Sequence, residues 1–103
     1  MTYQFLQLEQ QNQVATVWIN RAELHNAFNT TVIEELQHCF AALNTRDDVR
    51  VVVLAGRGKS FSAGADLNWM KQAGQASQAE NQADALKLAK MLQSLATLKQ
   101  PTI

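Results

Sequence analysis

The amino-acid sequence predicts an α/β fold with strands and helices in layers, and three stretches carry that expectation. Val51-Val52-Val53-Leu54-Ala55 is a continuous, mostly β-branched run with charge before it and Gly56 after it, the pattern of a strand buried on both faces as in parallel sheets. Ahead of it, Ile33, Leu36, Phe40 and Leu43 recur at three or four residues, which lays one apolar stripe along a helix. Ahead of that, Val14-Ala15-Thr16-Val17-Trp18-Ile19 has the β-branched and aromatic content of a strand. Strand, helix, strand is the order of a layered α/β fold.

The remaining elements follow in chain order. Tyr3, Phe5 and Leu8 alternate with glutamines and read as a first strand, joined to the second as a hairpin by the polar turn Gln10-Gln11-Asn12-Gln13. Asn20 to Asn29 has no period and reads as a loop closing on a helix start, where Thr31-Val32-Ile33-Glu34 has the spacing of a capping box. The helix runs to about Asn44. Gly56 to Leu67 is a glycine-containing loop, and Leu67 to Lys71 resumes a helical turn. The Ala/Gln-enriched segment from Gln72 to Ala85 reads as a mobile surface stretch opening a helix. Ser77-Gln78-Ala79-Glu80 is a second capping box, followed by a long helix whose stripe is Ala85, Leu88, Leu92 and Leu95 and whose end is near Lys99. Pro101 stops that helix, and Thr102-Ile103 reads as the start of another strand. The expectation is one domain, cut short.

Composition narrows the classes of function. With 47% hydrophobic and 17% charged residues in 103, the chain has the makeup of a globular protein, one domain or part of one. Nine basic and nine acidic residues cancel, and no basic stripe exists to track a phosphate backbone, so nucleic acid is not an expected partner. The single cysteine, Cys39, lies in the helical pattern and reads as a buried structural thiol, which fits a reducing, cytoplasmic location. The start, Met1 to Glu9, has neither a basic region nor a continuous apolar one, and no apolar run approaches the roughly 18 residues of a membrane span. No membrane association is expected.

The stretch that carries chemistry is Gly58-Lys59-Ser60-Phe61-Ser62-Ala63-Gly64-Ala65-Asp66-Leu67, which leaves a strand and enters a helix. Such a junction presents unpaired backbone N–H groups, and the small side chains of Ala63, Gly64 and Ala65 let an anionic oxygen approach them. From the residues alone this is either an anion or carbonyl site or a plain tight connection. Two nucleotide motifs fail on spacing. A dinucleotide fingerprint from Gly56 needs glycine where Phe61 stands, and a phosphate loop ending at Gly58-Lys59-Ser60 needs glycine where Val53 stands. His25 and His38 are isolated from each other, and Glu34, four residues before His38, does not by itself make a ligand set, so no metal site is expected, and His38 reads as a helix surface or boundary residue. Ser60 and Ser62 lack a nucleophile elbow and read as loop hydrogen-bonding residues.

Phe61 to Leu67 is similar to the oxyanion loop of the enoyl-CoA hydratase/isomerase (crotonase) family, and Asn20-Arg21-Ala22-Glu23-Leu24-His25-Asn26-Ala27 resembles that family's upstream coenzyme A loop. The strand Val51 to Gly56 falls where the family's strand falls, and the resemblance runs the whole length. It implies that residues 1–103 are the amino-terminal part of a single crotonase-like domain of ββα spiral fold. It further implies that the backbone N–H of Ala65 is one of two oxyanion donors to a thioester oxygen. Ala63, Gly64 and Asp66 would contact the coenzyme A portion, Leu67 would lie along it, and Leu24 and His25 would line its path. Coenzyme A would arrive as part of the acyl-CoA substrate, with no tightly bound cofactor. The second donor and the catalytic glutamates would lie downstream of Ile103, leaving these residues inactive by themselves. Ala22 and Glu23 depart from the proline and basic residue common in the family.

Asp66 to Lys71, with Ala79-Glu80-Asn81 and Met91-Leu92, looks most like the methylglutaconyl-CoA hydratase branch, which acts in leucine breakdown. Trp69 and Met70 would then wall the acyl pocket, a helix-packing role being equally compatible. The resemblance thus implies a lyase that adds water to a 2-enoyl-CoA, in a homotrimer or dimer of trimers. The alternatives are an isomerase or hydrolase of the same family, within fatty acid metabolism more widely, or a non-catalytic acyl-CoA binder or interaction module using the Leu88, Leu92 and Leu95 face.

Overall fold

A computed structural model describes residues 3–103; Met1 and Thr2, the first residues of the stretch Met1 to Glu9 read above, lie outside them. Strands β1 (Leu6–Gln11) and β2 (Val14–Ile19) lead through a single 3-10 turn (Ala22–Leu24) to helix α1 (Thr30–Asn44), strand β3 (Val51–Gly56) and helices α2 (Leu67–Gln75) and α3 (Gln78–Ala96). The sheet has the order β1-β2-β3. β1 pairs antiparallel to β2 with Leu8 opposite Val17, and β2 pairs parallel to β3 with Ala15 opposite Val52. This is the mixed α/β arrangement expected.

The first strand lies further along the chain than its alternation suggested. Gln10 and Gln11, expected in the turn, are in the strand, and the turn narrows to Asn12 and Gln13, with Asn12 in the left-handed region at φ 56°. Asparagine tolerates that conformation better than most residues. Upstream, the carboxylate of the buried Glu35 on α1 accepts from the N–H groups of Gln4 and Phe5 at 2.5 and 2.8 Å, which draws that segment to the helix rather than the sheet.

Ile33, Leu36, Phe40 and Leu43 are all fully buried, together with Val32 and Cys39, against Ala15, Val17, Ile19 and Val52 of the sheet. Burial pushes the Cys39 thiol pKa up, as expected of an inert structural cysteine. The capping box proposed at Thr31 does not form. Asn29 caps α1, its side chain accepting from the Val32 N–H at 2.9 Å, and Glu34 instead pairs with Lys87 across to α3. Asparagine in an extended conformation one residue before the helix is the stronger cap. On β3 only Val52 is fully buried, while Val51, Val53 and Ala55 are half-buried, so the two-sided burial read from that run is incomplete here.

The stretch from Gln72 is helical as well: α2 continues to Gln75 and Ser77 caps α3, accepting from the Glu80 N–H at 3.1 Å. The buried stripe of α3 is shifted from the one expected. Met91 is 2% exposed and lies in the core, with Leu88, Leu95 and Leu98 packed beside it, whereas Ala85 is exposed and Leu92 is 49% exposed. The Leu88, Leu92 and Leu95 face is therefore divided between core and surface. α3 ends at Ala96 instead of Lys99 because the next residues are tied to the end of α1. Lys99 N–H donates to Asn44 Oδ1 at 2.9 Å, and Gln100 Nε2 donates to Leu43 O at 2.7 Å. Thr102 forms a parallel bridge with Val52 on the free side of β3, as the reading of Thr102-Ile103 anticipated. No helix among the described residues is long and apolar enough to cross a membrane.

Gly56 ends β3 where a β-carbon would lie 2.5 Å from Phe61 O and 2.8 Å from Asn26 Nδ2. Gly56→Ala is therefore expected to lower the unfolding free energy by about 1 to 3 kcal/mol in urea titrations, the usual cost of overpacking. Gly74, in α2, has open space around it, and Gly74→Ala is expected to raise stability by up to about 1 kcal/mol. Equal midpoints for the two variants would contradict this account.

Candidate functional site

The loop between β2 and α1 folds back on itself at two consecutive left-handed residues, His25 (φ 53°) and Asn26 (φ 56°). Asn26 is completely buried and its amide is fully used. Its Oδ1 accepts from the Arg21 N–H at 2.8 Å, and its Nδ2 donates to the carbonyls of Arg57 and Ser60, both at 2.8 Å. One side chain thereby closes the first loop and fastens the loop after β3 to it. The absence of a side chain at Gly56 makes the approach possible.

From that anchor the two loops run side by side. Ser62 Oγ donates to Asn26 O at 2.9 Å and accepts from the Gly64 N–H at 3.1 Å, which is the loop hydrogen-bonding role expected of it. Ala63 N–H donates to His25 O at 2.9 Å, Phe28 N–H to Gly64 O at 2.6 Å, and Asp66 N–H to Phe28 O at 2.7 Å. Phe28 and Ala65 form a parallel bridge, and Gly64 adopts φ 90°, a conformation that favours glycine. In a parallel bridge the residue whose neighbours make both bonds directs its own N–H to the opposite side. The N–H groups of Ala63, Gly64 and Asp66 are thus taken, and that of Ala65 has no partner among the described residues.

Ala65 lies on a cleft of about 440 Å³ that also brings together Leu24, His25, Ala63, Asp66 and Leu67, all expected at the site. Glu23, noted above as a departure in its loop, lines it too, as do Ala27 and Asn68, which were not singled out from the sequence. Gly64 lies outside the lining and contributes its backbone conformation and its carbonyl. Asp66 lines the cleft, but its carboxylate is not a binding group on that side. It accepts from the Trp69 N–H at 2.9 Å, capping α2, and pairs with Arg21 Nη1 at 2.9 Å, with both side chains at most 10% exposed. The Trp69 N–H foremost, with the Arg21 guanidinium adding to it, holds the Asp66 carboxyl below its ordinary pKa.

Trp69 and Met70, expected at an acyl pocket or in helix packing, lie on different sides of α2. Consecutive residues of α2 diverge by about 100°. Trp69 packs against the core and lines a polar cleft of about 270 Å³ with Arg21, Thr30 and Gln72, whereas Met70 is 50% exposed beside Leu67 and Lys71. The residues that sequence reasoning missed are Arg21, Asn26 and Phe28, which hold the cleft without forming its surface. The one arginine of the first loop and the one aspartate of the second were the available signal for one of the links.

Because the Asp66 pKa is depressed in the folded protein, its stabilising contribution is present above the unfolded value of about 3.9 and is lost as pH falls through the folded value. Asp66→Asn is therefore expected to be less stable than the parent at pH 7, with the gap closing as pH drops below about 4. Denaturation midpoints across that range measure it, and a gap independent of pH would contradict it.

Comparison with known proteins gives one consistent answer. Residues 9–103 match the family model described as enoyl-CoA hydratase/isomerase. The short-chain-enoyl-CoA hydratase of Clostridium acetobutylicum is 39% identical over 66 residues, 63% of this chain and 25% of that protein. The mitochondrial Delta(3,5)-Delta(2,4)-dienoyl-CoA isomerase of Mus musculus is 37% identical over 92 residues, 89% of this chain and 27% of that protein. Among solved structures, the enoyl-CoA hydratase from Shewanella pealeana superposes with a TM-score of 0.92 at 33% identity, over 95% of this chain and 37% of that one. The chain thus spans between a quarter and about 37% of the length of these relatives, and its fold resembles the amino-terminal part of the crotonase fold.

Proposed function

The chain belongs to the enoyl-CoA hydratase/isomerase family, and on that premise we propose that it supplies one arm of an oxyanion hole to an enzyme that adds water to a 2-enoyl-CoA thioester. The observation that carries the reading is the unpartnered N–H of Ala65 at a cleft lined by Leu24, His25, Ala63 and Leu67. When a nucleophile adds to the double bond, charge develops on the thioester oxygen. A fixed backbone donor is worth most there because it needs no reorganisation at the moment of reaction. The exposed Leu24 and Leu67 give an apolar wall for the coenzyme A portion, which arrives with the substrate.

On the family resemblance, the second donor and the acid/base glutamates would lie in the portion of the relatives that follows the matched stretch. The 103 residues by themselves are accordingly proposed to be inactive. We extend the reading to a methylglutaconyl-CoA-like substrate on the likeness of Asp66 to Lys71, the segment beside the cleft; Met91 is a core residue and adds nothing to substrate choice. A cytoplasmic homo-oligomer, trimeric or a dimer of trimers, belongs to the same proposal. Isomerisation of an acyl-CoA is the second reading, favoured by the similarity to the mouse dienoyl-CoA isomerase. It uses the same enolate stabilisation, and offering the full-length protein crotonyl-, methylglutaconyl- and dienoyl-CoA in parallel separates the two by product.

The test of the donor acts on the backbone. In the full-length protein, Ala65→Gly keeps the N–H and is expected to retain activity, while Ala65→Pro removes the N–H and is expected to lower kcat by roughly a hundred- to a thousandfold. Coenzyme A binding is measured alongside. A folded Ala65→Pro protein that binds coenzyme A and turns over at the parental rate overturns the assignment.

A further inference from the structure

We propose that Arg21 is a positioning residue for the Ala65 donor, acting on it through two intervening peptide groups. The inference rests on the oxyanion reading of Ala65 and goes beyond it. Arg21 Nη1 donates to Ala27 O at 2.9 Å. That carbonyl belongs to the peptide whose N–H, on Phe28, donates to Gly64 O at 2.6 Å. The Gly64 carbonyl in turn belongs to the peptide whose N–H is the free donor of Ala65. Guanidinium, peptide, peptide and thioester oxygen therefore form one head-to-tail series of hydrogen bonds that begins at a buried cation.

Two physical consequences follow from that order. A peptide whose carbonyl accepts a hydrogen bond is polarised and becomes a better donor at its N–H, and such series strengthen along their length. The guanidinium at the far end, a charged donor whose long-range field Asp66 offsets in part, adds to the polarisation through its hydrogen bond in the same direction. The series also fixes direction, because both the carbonyl and the following N–H around Ala65 are bound to Phe28, whose own preceding carbonyl is bound to Arg21. Asp66 Oδ2, 2.9 Å from the same Nη1, holds the guanidinium in place, and the Phe5 ring lies 5.1 Å from its central carbon. Arg21 is 8% exposed, so solvent does not compete for these contacts.

The experiment uses the full-length protein and two readouts, the kcat against KM split per folded molecule and the carbonyl stretch of a bound enoyl-CoA measured by isotope-edited infrared difference spectroscopy. Arg21→Met is expected to lower kcat by about ten- to thirtyfold, a fraction of the loss for removing a donor outright, with KM within about threefold and the carbonyl stretch moved towards its value in water. Arg21→Lys, which keeps the charge with a different geometry, is expected to lie between Arg21→Met and the parent in both readouts. Lys87→Met, which breaks the exposed pair with Glu34, is the control and is expected to match the parent. If Arg21→Met does not fold, Arg21→Lys decides alone. Parental kcat and carbonyl stretch in the folded arginine variants, with only a lowered melting temperature, overturn the proposal and leave the Ala65 reading standing if Ala65→Pro is inactive. If Ala65→Pro is parental, both fall together.

Discussion

The amide of Asn26 joins two loops that otherwise share a single parallel bridge and a few main-chain bonds, and the remainder of the site is built outward from that junction. A buried side-chain amide is tolerable only when its polar atoms are bonded, since each unsatisfied one carries a desolvation penalty of roughly 1 to 3 kcal/mol. Asn26 meets the condition by receiving the Arg21 N–H and giving both amide hydrogens to the carbonyls of Arg57 and Ser60. The same demand explains Gly56, because any β-carbon there would occupy the space the amide needs.

With that junction set, the short parallel contact between Phe28 and Ala65 becomes geometrically available. It is one bridge long, too short to be stable as a sheet. Its persistence depends on what lies at its two sides, the Ser62 hydroxyl bonded to Asn26 O and the buried Arg21–Asp66 pair. A buried ion pair is weak support for overall stability, because desolvation offsets much of its attraction. Here its effect is one of direction. Arg21 bonds Ala27 O and Asp66 bonds the Trp69 N–H, so the pair sets the start of α2 relative to the loop before α1.

The chemistry of the cleft follows from which groups this framework consumes and which it leaves. The main-chain donors of Ala63, Gly64 and Asp66 are bonded internally, and that of Ala65, on the cleft, has no partner among the described residues, which is what the proposed oxyanion role requires. The Asp66 carboxylate stays ionised but is paired with Arg21, which offsets its charge beside the cleft.

Periodicity in the sequence was enough to determine α1 and its buried stripe and the strands on either side of it. These are properties of neighbouring residues, and a stripe at three and four residues or a β-branched run has few other solutions. Tertiary structure decided the rest. Met91 rather than Leu92 entered the core because α3 rotates to fit α1, and Thr31 lost the cap to Asn29 while Glu34 turned to Lys87. Asp66 turned inward because Arg21, far away in sequence, met it at a distance of 2.9 Å. The free N–H of Ala65 is the extreme case: every residue but proline carries that group, so no side-chain pattern marks it. Only the bonds from Phe28 to Gly64 and from Asp66 to Phe28 determine that this one is left unpaired.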